Sequence, residues 1–255
     1  MIRQYHRPQK LQEALGLIAR ASPLTVPLGG GTFINSPMYQ ESQTLDIDVV
    51  DLQALGLCKI HKRERVLEIG ATTTLQALSE SAYVSPALRT SLLLEAPLNI
   101  RNLATMAGTL VVGDGRSPLV TALLAMDGSL VILPGDERHD LGNFLLRRAE
   151  ILPGRLITRI SLPLNIRFAF EYVSRTPRDT PIVCAALVRW PSGRTRLTLG
   201  GCGRTPLLAM DGNDASGLEA AARNVFEEAD DEWASAEYRK EVAGVLAKRC
   251  LDMVG

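Results

Sequence analysis

Two glycine-rich stretches carry the residue types best suited to bind an anion. The first is Val26-Pro27-Leu28-Gly29-Gly30-Gly31-Thr32, and the second is Arg101-Asn102-Leu103-Ala104-Thr105-Met106-Ala107-Gly108-Thr109. Glycine has no Cβ and tolerates left-handed angles, so such turns bring main-chain N–H groups close to a phosphate. The two stretches lie roughly seventy-five residues apart. That spacing suggests one ligand held from two sides, and a dinucleotide pyrophosphate is the natural candidate.

Other chemistries fit less well. Gly29 and Gly31 have the G-x-G spacing of a nicotinamide-binding turn, and Asp51 follows where a ribose-binding acid would sit. The third glycine position holds Ile34, however, and Asn35-Ser36-Pro37 is expected to interrupt the helix that such a turn must open. A P-loop fails because no Lys follows the glycines. His6, His61 and His139 neighbour neither stretch, and no Ser-His-Asp set or carboxylate pair suggests hydrolysis. His139 with Asp136, Glu137 and Asp140 reads as a solvated charged turn. Arg147-Arg148 and Arg194/Arg196 read most simply as solvated faces, with a subunit or acidic-ligand contact as the alternative. Trp190 is expected to pack at a strand end, and Tyr172 either buries its hydroxyl in the core or stacks on a flat cofactor.

The elements that must position these residues follow from apolar periodicity. Helices are expected over 11–19, 74–78, 86–96, 120–126, 219–228 and 235–253. Strands are expected over 24–28, 44–51, 66–70, 129–133 and 156–162. The Thr72-Thr73-Thr74 run supplies a cap for the second helix. A hairpin of 182–190 and 194–199 turns at Pro191-Ser192-Gly193. A domain boundary falls near Asn165.

The bulk numbers bound the function class. The chain has 255 residues, with 28 Lys plus Arg balanced by 28 Asp plus Glu. Zero formal charge argues against a nucleic-acid partner, which would leave a basic excess. Cys58, Cys184, Cys202 and Cys250 lack metal-ligand spacing and are expected to be small buried apolar residues. The N-terminal run has no apolar signal core, and Asp127-Gly128 breaks the longest apolar stretch. No membrane association and a cytoplasmic location are therefore expected.

Taken in order, these segments resemble a family. Gly29-Gly30-Gly31-Thr32 resembles the first flavin loop, A-G-G-T-D-L, of the FAD-binding medium subunit of the molybdenum hydroxylases. These are enzymes of the xanthine dehydrogenase and carbon monoxide dehydrogenase type. Leu67-Glu68-Ile69-Gly70-Ala71-Thr72-Thr73 is similar to that subunit's I-G-A-x-x-T segment. Ile100 to Thr109 is similar to its second loop, I-R-N-x-A-T-I-G-G-N, and Ala122 to Asp127 to its A-L-L-A-L-D. In the tail, Leu199 to Pro206 and Tyr238-Arg239 continue the likeness.

The resemblance implies an α+β fold. Two α/β FAD-binding subdomains would occupy 1–165, split near 55–60, followed by a C-terminal antiparallel sheet plus helices over 166–255. It implies non-covalent FAD, with the pyrophosphate held by main-chain N–H groups of both loops. The implied contacts are Leu28, Gly29, Gly30, Gly31, Thr32, Phe33 and Ile34 from the first loop, and Thr105, Ala107, Gly108 and Thr109 from the second. Asp114 and Tyr172 would lie toward the flavin. The implied chemistry is electron relay, from a [2Fe-2S] small subunit to NAD or another acceptor, in a complex with a molybdopterin-binding large subunit. The chain departs from the family's pattern at several of these positions. Phe33 stands for an Asp, Ala107 for a Gly, Thr109 for an Asn, Tyr172 for a usual Lys and Arg155 for an acid. Pro118 falls on the acid of the family's S-P-x-x-D, leaving Asp114, four positions earlier, as its substitute. These departures motivate a second expectation, a flavin-free structural paralogue of the same subunit. A free-standing flavin oxidoreductase ranks third, because no acid, base or nucleophile neighbours the loops.

Overall fold

The computed structural model describes residues 2–42, 46–177 and 179–255. Strand β1 (Ile2–His6), helix α1 (Leu11–Ile18), strand β2 (Thr25–Leu28), helix α2 (Pro37–Ser42) and strand β3 (Ile47–Asp51) come first. Their sheet is parallel throughout, in the order β1-β3-β2. The central strand β3 is buried along its whole length. Thr44 and Leu45, expected to begin it, lie outside the described residues. Ala14, Leu15, Leu17 and Ile18 of α1 pack against Val50 and Leu52, as their helical spacing predicts. Strand β1 carries no apolar alternation, and most of it is exposed, so its sequence has no strand signal.

One expectation is corrected here. Pro37 does not prevent a helix; it starts one. Ser36 Oγ accepts the Tyr39 N–H at 3.3 Å, and Pro37 takes the first helical position, where its missing N–H would be unpaired anyway. The helix is only 6 residues long, and four residues, Thr32 to Asn35, separate the glycines from its cap.

The second group is β4 (Ile60–Arg63), β5 (Val66–Gly70), α3 (Leu75–Ser79), α4 (Pro86–Glu95), α5 (Leu98–Arg101), α6 (Met106–Val112), α7 (Pro118–Ala125), β6 (Ser129–Leu133), β7 (Glu137–Asp140), α8 (Leu141–Ile151) and β8 (Leu156–Pro163). Its sheet is antiparallel, in the order β4-β5-β8-β6-β7. The edge strands β4 and β7 are charged, which suits an unpaired edge and hides them from a hydrophobicity reading. The expected charged turn around His139 is therefore a strand, and only Asp136 keeps a turn conformation, at φ 51°.

The last group is β9 (Arg167–Val173), β10 (Val183–Arg189), β11 (Thr195–Gly200), β12 (Leu207–Gly212), α9 (Leu218–Asn224) and α10 (Ala236–Val254), with an antiparallel sheet ordered β12-β11-β10-β9. Strand β10 alternates strictly. Val183, Ala185 and Leu187 face α9 and α10, while Cys184, Ala186 and Val188 join the core around α7. Every residue of α7 is buried, because it is enclosed by α4 and α8 on one side and this sheet on the other. Among the described residues, no helix is long and apolar enough to cross a membrane.

Two contacts fix the relation between distant segments. The first joins the glycine-rich stretches. A Cβ at Gly30 would lie 1.7 Å from the Leu103 carbonyl oxygen, and one at Gly29 would lie 2.6 Å from Thr105 Oγ1. Gly30 is therefore required by close backbone approach, and Gly29 by the Thr105 side chain packed against it. The second contact is ionic. Arg194 grips Asp211 through two nitrogens at 2.7 Å and reaches Asp127 at 2.8 Å. Arg196, almost fully buried, donates to Asp127 at 2.6 Å and to Asp211 at 3.1 Å. These arginines are not solvated faces; they tie the turn after α7 to the C-terminal sheet. Trp190 packs on the α7 core at the end of β10, under the Arg194 guanidinium at 4.8 Å.

Gly30→Ala is expected to lower the unfolding free energy in urea by about 1–3 kcal/mol through overpacking. Gly16→Ala, in α1 with nothing within 4 Å of the added carbon, should leave it unchanged or raise it by up to about 1 kcal/mol. A reversed order of the two midpoints contradicts the contact. The ionic cluster predicts a pH effect. The Arg194 hydrogen bonds hold the Asp211 carboxyl below its ordinary range. The unfolded chain then binds the proton more readily, so this stabilisation is complete above about pH 4 and is lost as the pH falls through the folded-state value. Urea midpoints should fall less steeply between about pH 5 and pH 3 in Arg194→Met than in the unsubstituted protein. Parallel slopes would sink this assignment.

Candidate functional site

Where the two glycine-rich stretches meet, a cleft of about 860 Å³ opens between α1 and β2 on one side and α6, α8 and β8 on the other. Leu28, Gly29, Gly30, Gly31, Thr32, Phe33 and Ile34 all line it, as do Thr105, Ala107, Gly108 and Thr109. The structure thus brings both loops to one cavity.

The loops contribute differently. In the first, the Gly29 carbonyl accepts Gln53 Nε2 at 2.9 Å, and the Gly31 carbonyl accepts the Asn35 N–H at 3.0 Å. Gly31 holds φ at +72°, a conformation that suits glycine. No main-chain N–H from Gly29 to Ile34 finds an acceptor among the described residues. Unpaired N–H groups on a cleft wall are ready for an anion.

In the second loop the donors are already engaged. The Met106 N–H bonds the Thr73 carbonyl at 2.9 Å, and the Ala107 N–H bonds the Ala71 carbonyl at 3.0 Å. Thr105 caps α6: its Oγ1 accepts the Gly108 N–H at 3.2 Å and its carbonyl the Thr109 N–H at 2.9 Å. Thr105, Ala107, Gly108 and Thr109 border the cleft as a closed helix start. Arg101, buried, holds the approach to this loop. It donates to Gln76 Oε1 at 3.0 Å and to the Ala96 carbonyl at 2.7 Å.

Asp114 and Tyr172 are not among the residues lining the cleft. Asp114 is exposed and closes its own turn, with Oδ1 accepting the Arg116 N–H at 2.8 Å. The next residue, Gly115, exchanges backbone bonds with Gly201 and Gly203 and directs this turn toward the C-terminal sheet. Tyr172 is half-buried in β9, 6.4 Å from the Phe170 ring and packed on the α7 core. Asp51 accepts the Gln53 N–H at 2.8 Å and the Tyr5 hydroxyl, with Arg7 at 3.3 Å. It is engaged by these three residues and is not among those lining the cleft.

The electrostatics of the cleft are one-sided. Arg20, Arg148 and Arg155 line it, and no Asp, Glu, His or Cys does so among the described residues. Arg155 is paired with Glu137 at 2.6 Å, and this contact holds the Glu137 carboxyl below its usual range. Arg148 is half-buried, with its pKa lowered by desolvation. Thr72, only 2% exposed, also lines the cleft, and its Oγ1 has no partner. Phe33 and Tyr39 add aromatic surface, with ring centroids 5.1 Å apart. The residues present therefore fit a ligand with an anionic centre and flat apolar ends. The sequence reading missed Arg148 and Thr72. Arg148 resembled a solvated pair with Arg147, and Thr72 resembled part of the cap that Thr74 supplies. The apolar spacing of Leu141, Phe144 and Leu145 would have revealed α8 and the inward side of Arg148.

Elsewhere the chain carries little reactive chemistry. Cys184 and Cys250 are buried, with both thiols pushed up to about 12 by desolvation. Cys58 is exposed and Cys202 partly so, which corrects the expectation that all four are buried. Among the described residues, no His/Cys/Asp/Glu group could hold a metal ion.

Comparison with known proteins agrees with this geometry. Residues 1–165 match the family model of the FAD binding domain in molybdopterin dehydrogenase. The carbon monoxide dehydrogenase medium chain of Afipia carboxidovorans is 28% identical over 278 residues, covering 97% of this chain and 95% of the relative. The 6-hydroxypseudooxynicotine dehydrogenase complex subunit alpha of Paenarthrobacter nicotinovorans is 27% identical, covering 94% and 90%. A chain of reconstituted CO dehydrogenase from Oligotropha carboxidovorans superposes with a TM-score of 0.82 at 26% identity, over 98% of this chain and 96% of that one. With the family match spanning more than half of its length, and both loops on one acid-free cleft, this chain belongs to the FAD-binding domain family of the molybdopterin dehydrogenases and is an FAD-binding oxidoreductase component.

Proposed function

We propose that the chain is the electron-relay subunit of a molybdopterin-dependent hydroxylase or dehydrogenase complex. In this reading it takes electrons from a [2Fe-2S] small subunit and passes them to NAD or another acceptor, while a large subunit holds the molybdopterin. A cytoplasmic setting and a division of the chain near Asn165 belong to the same proposal. The observation that carries it is the cleft itself. Among the described residues, the main-chain N–H groups of Gly29 to Ile34 have no acceptor, and these residues line a cavity with three arginines and no carboxylate. That combination suits the pyrophosphate of FAD. Likeness to medium chains over nearly the whole chain supports the assignment to a multi-subunit enzyme.

Flavin, when bound, supplies electron exchange singly or in pairs, and the protein supplies position and electrostatics. Gly29 to Ile34 would bind the pyrophosphate through N–H groups. Ala107, Thr109, Val111 and Val112 would form the wall along which the cofactor lies. Phe33 and Tyr39 would cover a flat ring, and Leu152 to Ile157 would exclude water from the opposite side. Among the described residues, no Asp, Glu, His or Cys lines the cleft, which supports relay over substrate turnover.

Purified protein should be yellow, or become so on incubation with FAD. Its flavin absorbance should correspond to one FAD per chain and be released by denaturation. Protein that stays colourless with excess FAD would favour the flavin-free structural paralogue.

A further inference from the structure

We propose that Gln53 is a positioning residue for the first glycine-rich turn: it fixes the peptide between Gly29 and Gly30 so that the Gly30 N–H is aimed at the cofactor. The inference rests on the reading of the cleft as an FAD site. It begins from the geometry of the peptide bond. In a planar trans peptide the carbonyl and the following N–H point in opposite directions. Whatever holds the carbonyl therefore aims the amide. Neither the Gly29–Gly30 nor the Gly31–Thr32 bond is cis.

Two carbonyls of the turn are held. That of Gly29 accepts Gln53 Nε2 at 2.9 Å, and that of Gly31 accepts the Asn35 N–H at 3.0 Å. Gln53 and Asn35 are not among the residues lining the cleft, whereas Gly30 and Thr32, which carry the opposed N–H groups, are. Neither of those N–H groups has an acceptor among the described residues. The two holders differ in kind. Asn35 uses its main chain, four residues on, whereas Gln53 reaches the turn with a side chain. A peptide between two glycines flips at little steric cost, and a flipped one would offer an anion its carbonyl instead of its N–H. The contact with Leu103 restrains the Gly30 α-carbon; the Gln53 hydrogen bond restrains the peptide plane before it. Gln53 is itself well anchored. Its N–H donates to Asp51 Oδ1 at 2.8 Å, and the Leu52 N–H donates to the Leu28 carbonyl at 3.0 Å, at the end of β2. Asp51, only 5% exposed, is held in turn by the Tyr5 hydroxyl and by Arg7 at 3.3 Å. This network joins β1 and β3 to the turn and gives the buried Asp51 carboxylate a purpose.

The test titrates FAD into the isotope-labelled full chain, with amide NMR reporting the turn and flavin fluorescence the affinity. In the unsubstituted protein, the Gly30 and Thr32 amide protons should move farthest downfield among residues 29–34, as N–H groups do on engaging an anion. Gln53→Leu removes the side-chain donor at an exposed position. It should weaken FAD about threefold to tenfold, as loss of one neutral hydrogen bond does. It should also abolish the Gly30 shift and keep that of Thr32, whose peptide is held by Asn35. An unchanged affinity in Gln53→Leu overturns the proposal. So does a weaker affinity with the Gly30 shift intact, which would leave Gln53 a merely structural role. Largest shifts at other amides of the turn in the unsubstituted protein overturn it too, whether or not Gln53→Leu folds. Failure of the unsubstituted protein to bind FAD would instead overturn the FAD reading on which the proposal rests.

Discussion

The backbone of Gly30 lies against the carbonyl of Leu103 so closely that no side chain fits between them. Two segments far apart in sequence are locked together at that point. The contact fixes where β2 ends relative to α6, and hence where the cleft opens. It also explains the glycines without any ligand: Gly29 and Gly30 are required by packing, and Gly31 by its left-handed conformation. What points to a ligand is not the glycine content but the amides without an acceptor among the described residues, in a turn that lines the cavity. Family membership and an acid-free lining make that ligand FAD.

The second loop works as the platform for the first. Thr105 does two things at once, capping α6 and meeting Gly29. Arg101 fixes the chain before it through backbone carbonyls that would otherwise be unpaired. Behind the platform, α7 is enclosed on all sides, and the C-terminal sheet covers it through Cys184, Ala186 and Val188. Thr198 donates to the Thr121 carbonyl at 2.8 Å across that contact, and the Asp127–Arg194–Arg196–Asp211 cluster closes its margin. The last group of strands and helices thus supports the cleft from behind, and none of its described residues lines it.

Much of this was legible in the sequence, for identifiable reasons. The helices with buried faces, the hairpin of β10 and β11, and the meeting of the two loops all follow from periodicity, glycine placement and family resemblance. The elements that escaped are those whose stability comes from tertiary context. The edge strands β1, β4 and β7 pair with neighbours while exposing charged or polar residues. Pro37 was read as a helix breaker, although a capping Ser immediately before it makes it a starter. The arginines were the hardest to place. Arg148, Arg194 and Arg196 look like ordinary surface charges, and only the fold reveals their partners. Which loop amides remain free was also invisible, because Thr105 can cap α6 only once the chain has folded.

The central claim, that the first loop binds while the second supports, is tested most directly by amide hydrogen exchange with and without FAD. The account predicts that FAD slows exchange at the amides of Gly29 to Ile34, which are unpaired in the free chain. Those of Met106 to Thr109 should be slow already and change little. Protection gained chiefly at Met106 to Thr109, with none at Gly29 to Ile34, would contradict it.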